Sequence, residues 1–217
     1  MRCLVQAARD MQVPLEVVDL WQVAPDANAR ETAITDTMRR VSAISTVFSV
    51  IGGDPHHTLG LVAHPRPFDF VLPEVPDLPL DPHAEVVPYD GVRAALAEVA
   101  RPHLDLTLRV RNAAMGKLIQ LEAPPVAADD DRLRRDVPWK FFHGRRTIAP
   151  RWLRYKLWRL HSQIIGKFCR DEGIGFVRCP GEAFDEDGFL AAAYYQDAMH
   201  VNARYGELVV RQMLAAR

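Results

Sequence analysis

Ile44-Ser45-Thr46-Val47-Phe48-Ser49-Val50-Ile51, closed by Gly52-Gly53, is the stretch on which the fold turns. It is apolar on both faces for most of its length, the pattern of a strand buried inside a parallel sheet rather than half-exposed in an antiparallel one. Upstream, the pattern predicts a helix around 30–42 and, after Pro14, a strand at Leu15-Glu16-Val17-Val18-Asp19-Leu20. Before that, Leu4, Val5, Ala8 and Met11 fall on one face of an amphipathic helix over 2–11. Downstream, eight of the sixteen prolines lie between Pro55 and Pro88, which predicts a long surface excursion. A helix over 90–101 follows, then a less regular segment after Pro102 and a strand at Leu118-Ile119-Gln120-Leu121. Past Pro150, Leu153, Leu157, Leu160, Ile164 and Phe168 form a helical stripe that ends near Gly173. A strand at Ile174-Gly175-Phe176-Val177 and a helix over 201–215 complete the chain, with no internal repeat. Helix and strand alternate to the end, which predicts one α/β domain over 1–217 with helices on both faces of a parallel sheet. The alternation opens on a helix, whereas doubly wound domains open on a strand.

Composition narrows the class. The chain has 217 residues, 48% hydrophobic and 25% charged, so it can bury a core of ordinary size. A formal charge of −1 gives no overall field to recruit nucleic acid or an anionic membrane, and no apolar run reaches the ~20 residues of a membrane span. Cys3, Cys169 and Cys179 have neither disulfide-framework nor zinc-site spacing. The N-terminal apolar stretch between Arg2 and Arg9 is too short for a signal peptide. The expectation is a soluble, cytoplasmic protein without cofactor or metal.

Asp197-Ala-Met-His200 is the first candidate for chemistry. A carboxylate three residues before an imidazole can orient it and stabilise its charged form. The plainer reading makes Asp197 a helix N-cap and His200 a first-turn residue. The stretch Tyr194-Tyr195-Gln196-Asp197-Ala198-Met199-His200-Val201-Asn202-Ala203-Arg204-Tyr205-Gly206 resembles the last conserved block of the SGNH (GDSL-type) hydrolases. Phe48 to Asp54 resembles the family's strand ending in a Gly-x-Asn turn, and Leu121-Glu122-Ala123-Pro124-Pro125 resembles the end of its next strand. The resemblance spans roughly 1–215. It implies a three-layer α/β/α sandwich of flavodoxin-like kind, with His200 as general base, Asp197 orienting it, and Gly52, Gly53 and Asp54 at an oxyanion and substrate site.

Two departures stand out. Asp54 replaces the family's Asn, and a carboxylate cannot donate to an oxyanion unless protonated. The family's serine, in Gly-Asp-Ser or Gly-Asn-Ser after the first strand, has no counterpart: the serines are Ser42, Ser45, Ser49 and Ser162, none in such a motif. Residues 2–11 resemble the family's first helix, so the expectation is a first strand missing upstream. In the family's sheet order, 2-1-3-4-5, that strand is internal. Strands 15–20 and 44–51 would then pair directly, recruit another segment, or gape.

In Asp54-Pro55-His56-His57, with His64 nearby, adjacent histidines usually point apart, so a shared metal would need help from distant ligands; the reading preferred is that His57 lines the substrate mouth at a strand's carboxyl end. From Val137 to Arg170 no acidic residue occurs, while Lys140, Arg145, Arg146, Arg151, Arg154, Lys156, Arg159, Lys167 and Arg170 alternate with Trp139, Trp152, Tyr155 and Trp158. That is either a solvated helix face or an anion patch centred on Arg151 and Arg154. The expected ligand is a small-molecule or glycan acyl ester, with no nucleic acid and no membrane partner. The expected chemistry is ester hydrolysis or acyl transfer, silent here for want of a nucleophile. A glycan- or anion-binding module, or an interaction subunit, is the alternative.

Overall fold

The computed structural model describes residues 2–19, 27–40, 46–137 and 147–216. The described chain runs α1 (Arg2–Asp10), α2 (Ala27–Arg40), β1 (Val47–Ser49), α3 (Pro55–Gly60), β2 (Phe68–Asp69), β3 (Glu85–Val86), α4 (Tyr89–Ala113), β4 (Leu118–Leu121), α5 (Asp130–Asp136), α6 (Arg151–Asp171), β5 (Gly175–Val177), β6 (Tyr195–Asp197), β7 (His200–Val201) and α7 (Ala203–Ala215). The fold is mixed α/β around a small parallel sheet of order β1-β4-β5. Val47, Phe48 and Ser49 sit opposite Leu118, Ile119 and Gln120; Ile119, Gln120 and Leu121 sit opposite Gly175, Phe176 and Val177. Successive strand residues point to opposite faces, and each face has its own apolar cluster. Val47, Leu118 and Phe176 pack with Ile34 and Met38 of α2, Val110 of α4, and Ile165 and Cys169 of α6. Phe48, Leu121 and Val177 pack with Leu4 and Ala8 of α1, Leu133 of α5, and Val209, Val210 and Met213 of α7.

Several elements differ from expectation. Residues 15–19 form no strand; Leu20 lies outside the described residues. A strand needs a neighbour, and none of the described residues runs alongside this segment; Glu16 instead pairs with Arg40 of α2 at 3.3 Å, on the exposed surface. The strand expected over 44–51 spans three residues, with 44–45 outside the described set. The helix expected to stop at Pro102 runs through it to Ala113. Proline removes one backbone hydrogen bond there, yet Leu96 and Ala100 before it and Thr107 and Val110 after it are buried on the same packed helix, which carries it across. The last helix starts later than expected, because residues 195–201 form the antiparallel ribbon β6–β7. Helix α5 has no counterpart in the sequence reading, although Asp129 caps it by accepting from Arg132 N at 2.8 Å.

The proline-rich excursion contains a three-residue repeat that the sequence reading passed over: Pro73, Pro76, Pro79 and Pro82. Pro73, Pro76 and Pro82 each follow the first residue of a tight turn. Val75 N donates to Leu72 O (3.0 Å), Leu78 N to Val75 O (3.2 Å) and Ala84 N to Asp81 O (3.2 Å). Leu72, Val75 and Leu78 face inward while all four prolines are exposed. Residues 79–81 are anchored by side chains instead. Lys156 of α6 donates to Pro79 O at 3.1 Å and pairs with Asp69 at 2.5 Å, and Asp69 also accepts from Asp81 N at 2.9 Å. Both charged side chains are 1% exposed, so the pair is desolvated and tied into backbone groups at once. No helix among the described residues is long and apolar enough to cross a membrane.

Candidate active site

The β6–β7 ribbon turns so tightly that Asp197 and His200 become cross-strand partners. Asp197 accepts from Met199 N at 3.0 Å, which fixes the carboxylate against its own turn. His200 Nδ1 lies 2.7 Å from Asp197 Oδ1 and 2.9 Å from Oδ2. Asn202 then caps α7 by accepting from Tyr205 N at 3.3 Å, and its amide donates to Ala193 O at 2.8 Å. The plainer reading of Asp197 therefore fails in its detail: the N-cap of the last helix is Asn202. The His200 side chain is 63% exposed, so Nε2, the nitrogen not bound to the carboxylate, belongs to a ring that solvent reaches.

Gly52, Gly53 and Asp54 follow β1 at its carboxyl end and lead into α3. Gly52 has φ +73°, a conformation an L side chain adopts only with strain, and a Cβ there would press on the His103 side chain of α4. The Asp54 carboxylate is exposed, caps nothing, and lies 4.0 Å from His103 Nε2. His57 is half-buried on α3. Burial pushes its imidazole down to about 4; Asp54 opposes the shift, while Arg154 and His200 add to it. Asp54, Arg154 and His200 thus all act on His57, which follows β1 at the end of the sheet where open α/β folds bind ligands.

His56 and His57 do not diverge as adjacent histidines usually do. Their rings are 4.1 Å apart, and His161 of α6 lies 5.2 Å from His56. His56 and His161 are each 2% exposed, and none of their ring nitrogens makes a well-formed hydrogen bond among the described residues, although the Gly52 carbonyl lies close enough to the His161 ring to favour its charged form. Burial lowers both, His161 to about 4, with His57 and His103 adding to its shift and the Gly52 carbonyl opposing it. No group of three His, Cys, Asp or Glu among the described residues is arranged to hold a metal ion. His64 stands apart, turned to Arg66 O at 2.8 Å. His161 escaped the sequence reading, yet it sits four residues after Leu157 and four before Ile165, within the apolar row of α6.

The two arginines expected to form an anion patch part company. Arg151 is exposed, its guanidinium 5.3 Å from the Trp152 ring. Arg154 is 2% exposed, donates to the carbonyls of Ala127, Ala128 and Ala149, and pairs with Asp130 at 2.7 Å. Its charge is already neutralised and both terminal guanidinium nitrogens are bonded within the buried interior, so it does not open to an anion with Arg151. Lys156 is buried as well, so the basic helix is neither a uniformly solvated face nor a single patch. Lys140, Arg145, Arg146 and Trp139 lie outside the described residues.

Neither described serine and neither buried thiol is placed as a nucleophile. Ser49 is buried in β1 and accepts from Ile51 N at 3.2 Å. Ser162 is buried on α6 and donates to Glu122. Ser42 and Ser45 lie outside the described residues. Burial raises the Cys169 thiol to about 11 and the Cys179 thiol well above its ordinary value, so both stay protonated at neutral pH. A scan against protein-family models and a search of curated proteins both returned no match.

Proposed function

We propose that the chain is an SGNH-hydrolase-like domain, with the family's α/β/α layering, and that Asp197 and His200 are the acid–base half of an ester-handling centre. The observation that carries this is the pair of contacts at 2.7 and 2.9 Å between His200 Nδ1 and the Asp197 carboxylate. A carboxylate so placed holds the imidazole proton on Nδ1 and leaves Nε2 as a base, which is half of what acyl transfer needs. The parallel order β1-β4-β5, with an apolar cluster on each face, supports the layering. In this reading Gly52, Gly53, Asp54 and His57 line the mouth and the ligand is a small-molecule or glycan acyl ester. The protein works in the cytoplasm, a setting that three unpaired cysteines suit.

The described serines are buried and engaged, and the two buried thiols are protonated, so the reading has the ester bound without an acyl-enzyme forming. Purified chain is expected to hydrolyse p-nitrophenyl acetate no faster than a His200→Ala variant, both at the buffer rate. Hydrolysis that His200→Ala abolishes, at a rate above that of free imidazole at the same concentration, would overturn the inactive assignment, the acyl group passing through His200 Nε2 itself or a nucleophile within its reach.

A further inference from the structure

Behind the Gly52 turn lies a small cavity of mixed polar and apolar lining, two of whose polar side chains are not fully satisfied by the described residues. Gln120, in the middle strand of the sheet, is 3% exposed. Its Nε2 donates to Ile51 O at 3.2 Å and Leu121 O at 3.0 Å. Those two bonds fix the amide's orientation, because the flipped amide would set Oε1 against two carbonyl oxygens. Oε1 is therefore a buried acceptor, and it finds no donor among the described residues. His161, on α6, lines the same space; with its N–H toward the Gly52 carbonyl, the neutral ring keeps one bare nitrogen with no donor among the described residues.

Gln120 and His161 line the same cavity of about 10 Å³, with Gly52, Glu122, Ser162 and Phe176 among its other walls. A volume of roughly 10–15 Å³ admits the centre of one water molecule, and a buried water takes two to four polar partners. Two groups wanting a donor, Gln120 Oε1 and a His161 ring nitrogen, are enough for one water. The site is too small for an organic ligand.

We infer that one ordered water occupies this cavity, donating one hydrogen to Gln120 Oε1 and the other to the bare ring nitrogen of His161. The water joins the middle strand, helix α6 and, through the Gln120–Ile51 bond, the turn that carries Gly53, Asp54 and His57. It acts as a positioning element for that turn, and it stands whether or not the ribbon dyad handles esters.

A crystal structure of the whole chain at about 1.5 Å tests this. A density peak about 2.7–3.2 Å from both Gln120 Oε1 and a ring nitrogen of His161 is expected. A cavity without density, or Gln120 Oε1 bonded directly to His161 after the side chains close together, would overturn it. In solution, water magnetic relaxation dispersion on the protein should count one long-lived water fewer in His161→Phe, and an unchanged count would also overturn it. If His161→Phe does not fold, the density in the wild-type crystal decides alone.

Discussion

Asp197 and His200 were legible in the sequence because a three-residue spacing survives any tight turn: the two side chains meet in a ribbon as they would at a helix entry. The element was not legible, since Tyr195 to Val201 is too short to show a period. Arg154 illustrates the opposite case. A guanidinium in a basic stretch reads as surface, and only the folded chain shows that three carbonyls and Asp130 surround it. Gly206 gains a reason that sequence did not supply. A Cβ at that position would overlap the backbone of Cys3, so α1 and α7 pack there with backbone against backbone. Gly206→Ala is expected to cost about 1–3 kcal/mol through forced separation of the two helices, despite alanine's better helix propensity. Urea denaturation checks this; a neutral or stabilising result would mean that α1 does not seat on α7.

At the scale of elements, α6 holds the molecule together. Leu153, Leu157 and Leu160 pack with Phe70 and Leu72 of the proline-rich segment, and Lys156 pins that segment through Asp69 and Pro79. Lys156→Met leaves the Asp69 carboxylate buried without its cation, which typically costs about 3–5 kcal/mol. The same variant should open 72–84 to proteolysis, and adding Asp69→Leu should recover part of the stability. If Lys156→Met unfolds at the wild-type urea concentration, the pair is not the anchor. The helices with long apolar stripes were readable from period alone. The turns at 72–75, 75–78 and 81–84 are not legible from period, since proline breaks regular structure, yet Pro73, Pro76 and Pro82 each set the φ of the turn they open. The strand expected at 15–20 had the right residue types, but pairing is a property of two segments and cannot be read from one.

For the whole molecule, the buried imidazoles tie stability to pH. His57 and His161 have folded values near 4 against an ordinary value of 6.5, and burial also lowers His56. In each case the unfolded chain binds protons that the folded chain refuses, so stability is complete above about 6.5 and falls as pH drops toward 4. For His161 alone, with His56, His57 and His103 around it and the Gly52 carbonyl opposing, the loss by pH 4 is about 3 kcal/mol. Thermal melts from pH 7.5 to 4 should show a falling midpoint, with a shallower fall in His161→Phe. A flat profile would mean that these rings are solvated or partnered in solution. Overall class was legible, since alternating helix and buried strand leave few architectures other than a parallel sheet. Which charges and histidines lie inside it depends on packing between segments far apart in the chain.

The tautomer of His200 is the most direct measure of whether Asp197 makes it a base. Nitrogen-15 NMR of the neutral ring should find the proton on Nδ1 and a bare Nε2, with that preference lost in Asp197→Ala. A ring protonated at Nε2 in the wild type, and indifferent to the Asp197→Ala change, would contradict the account.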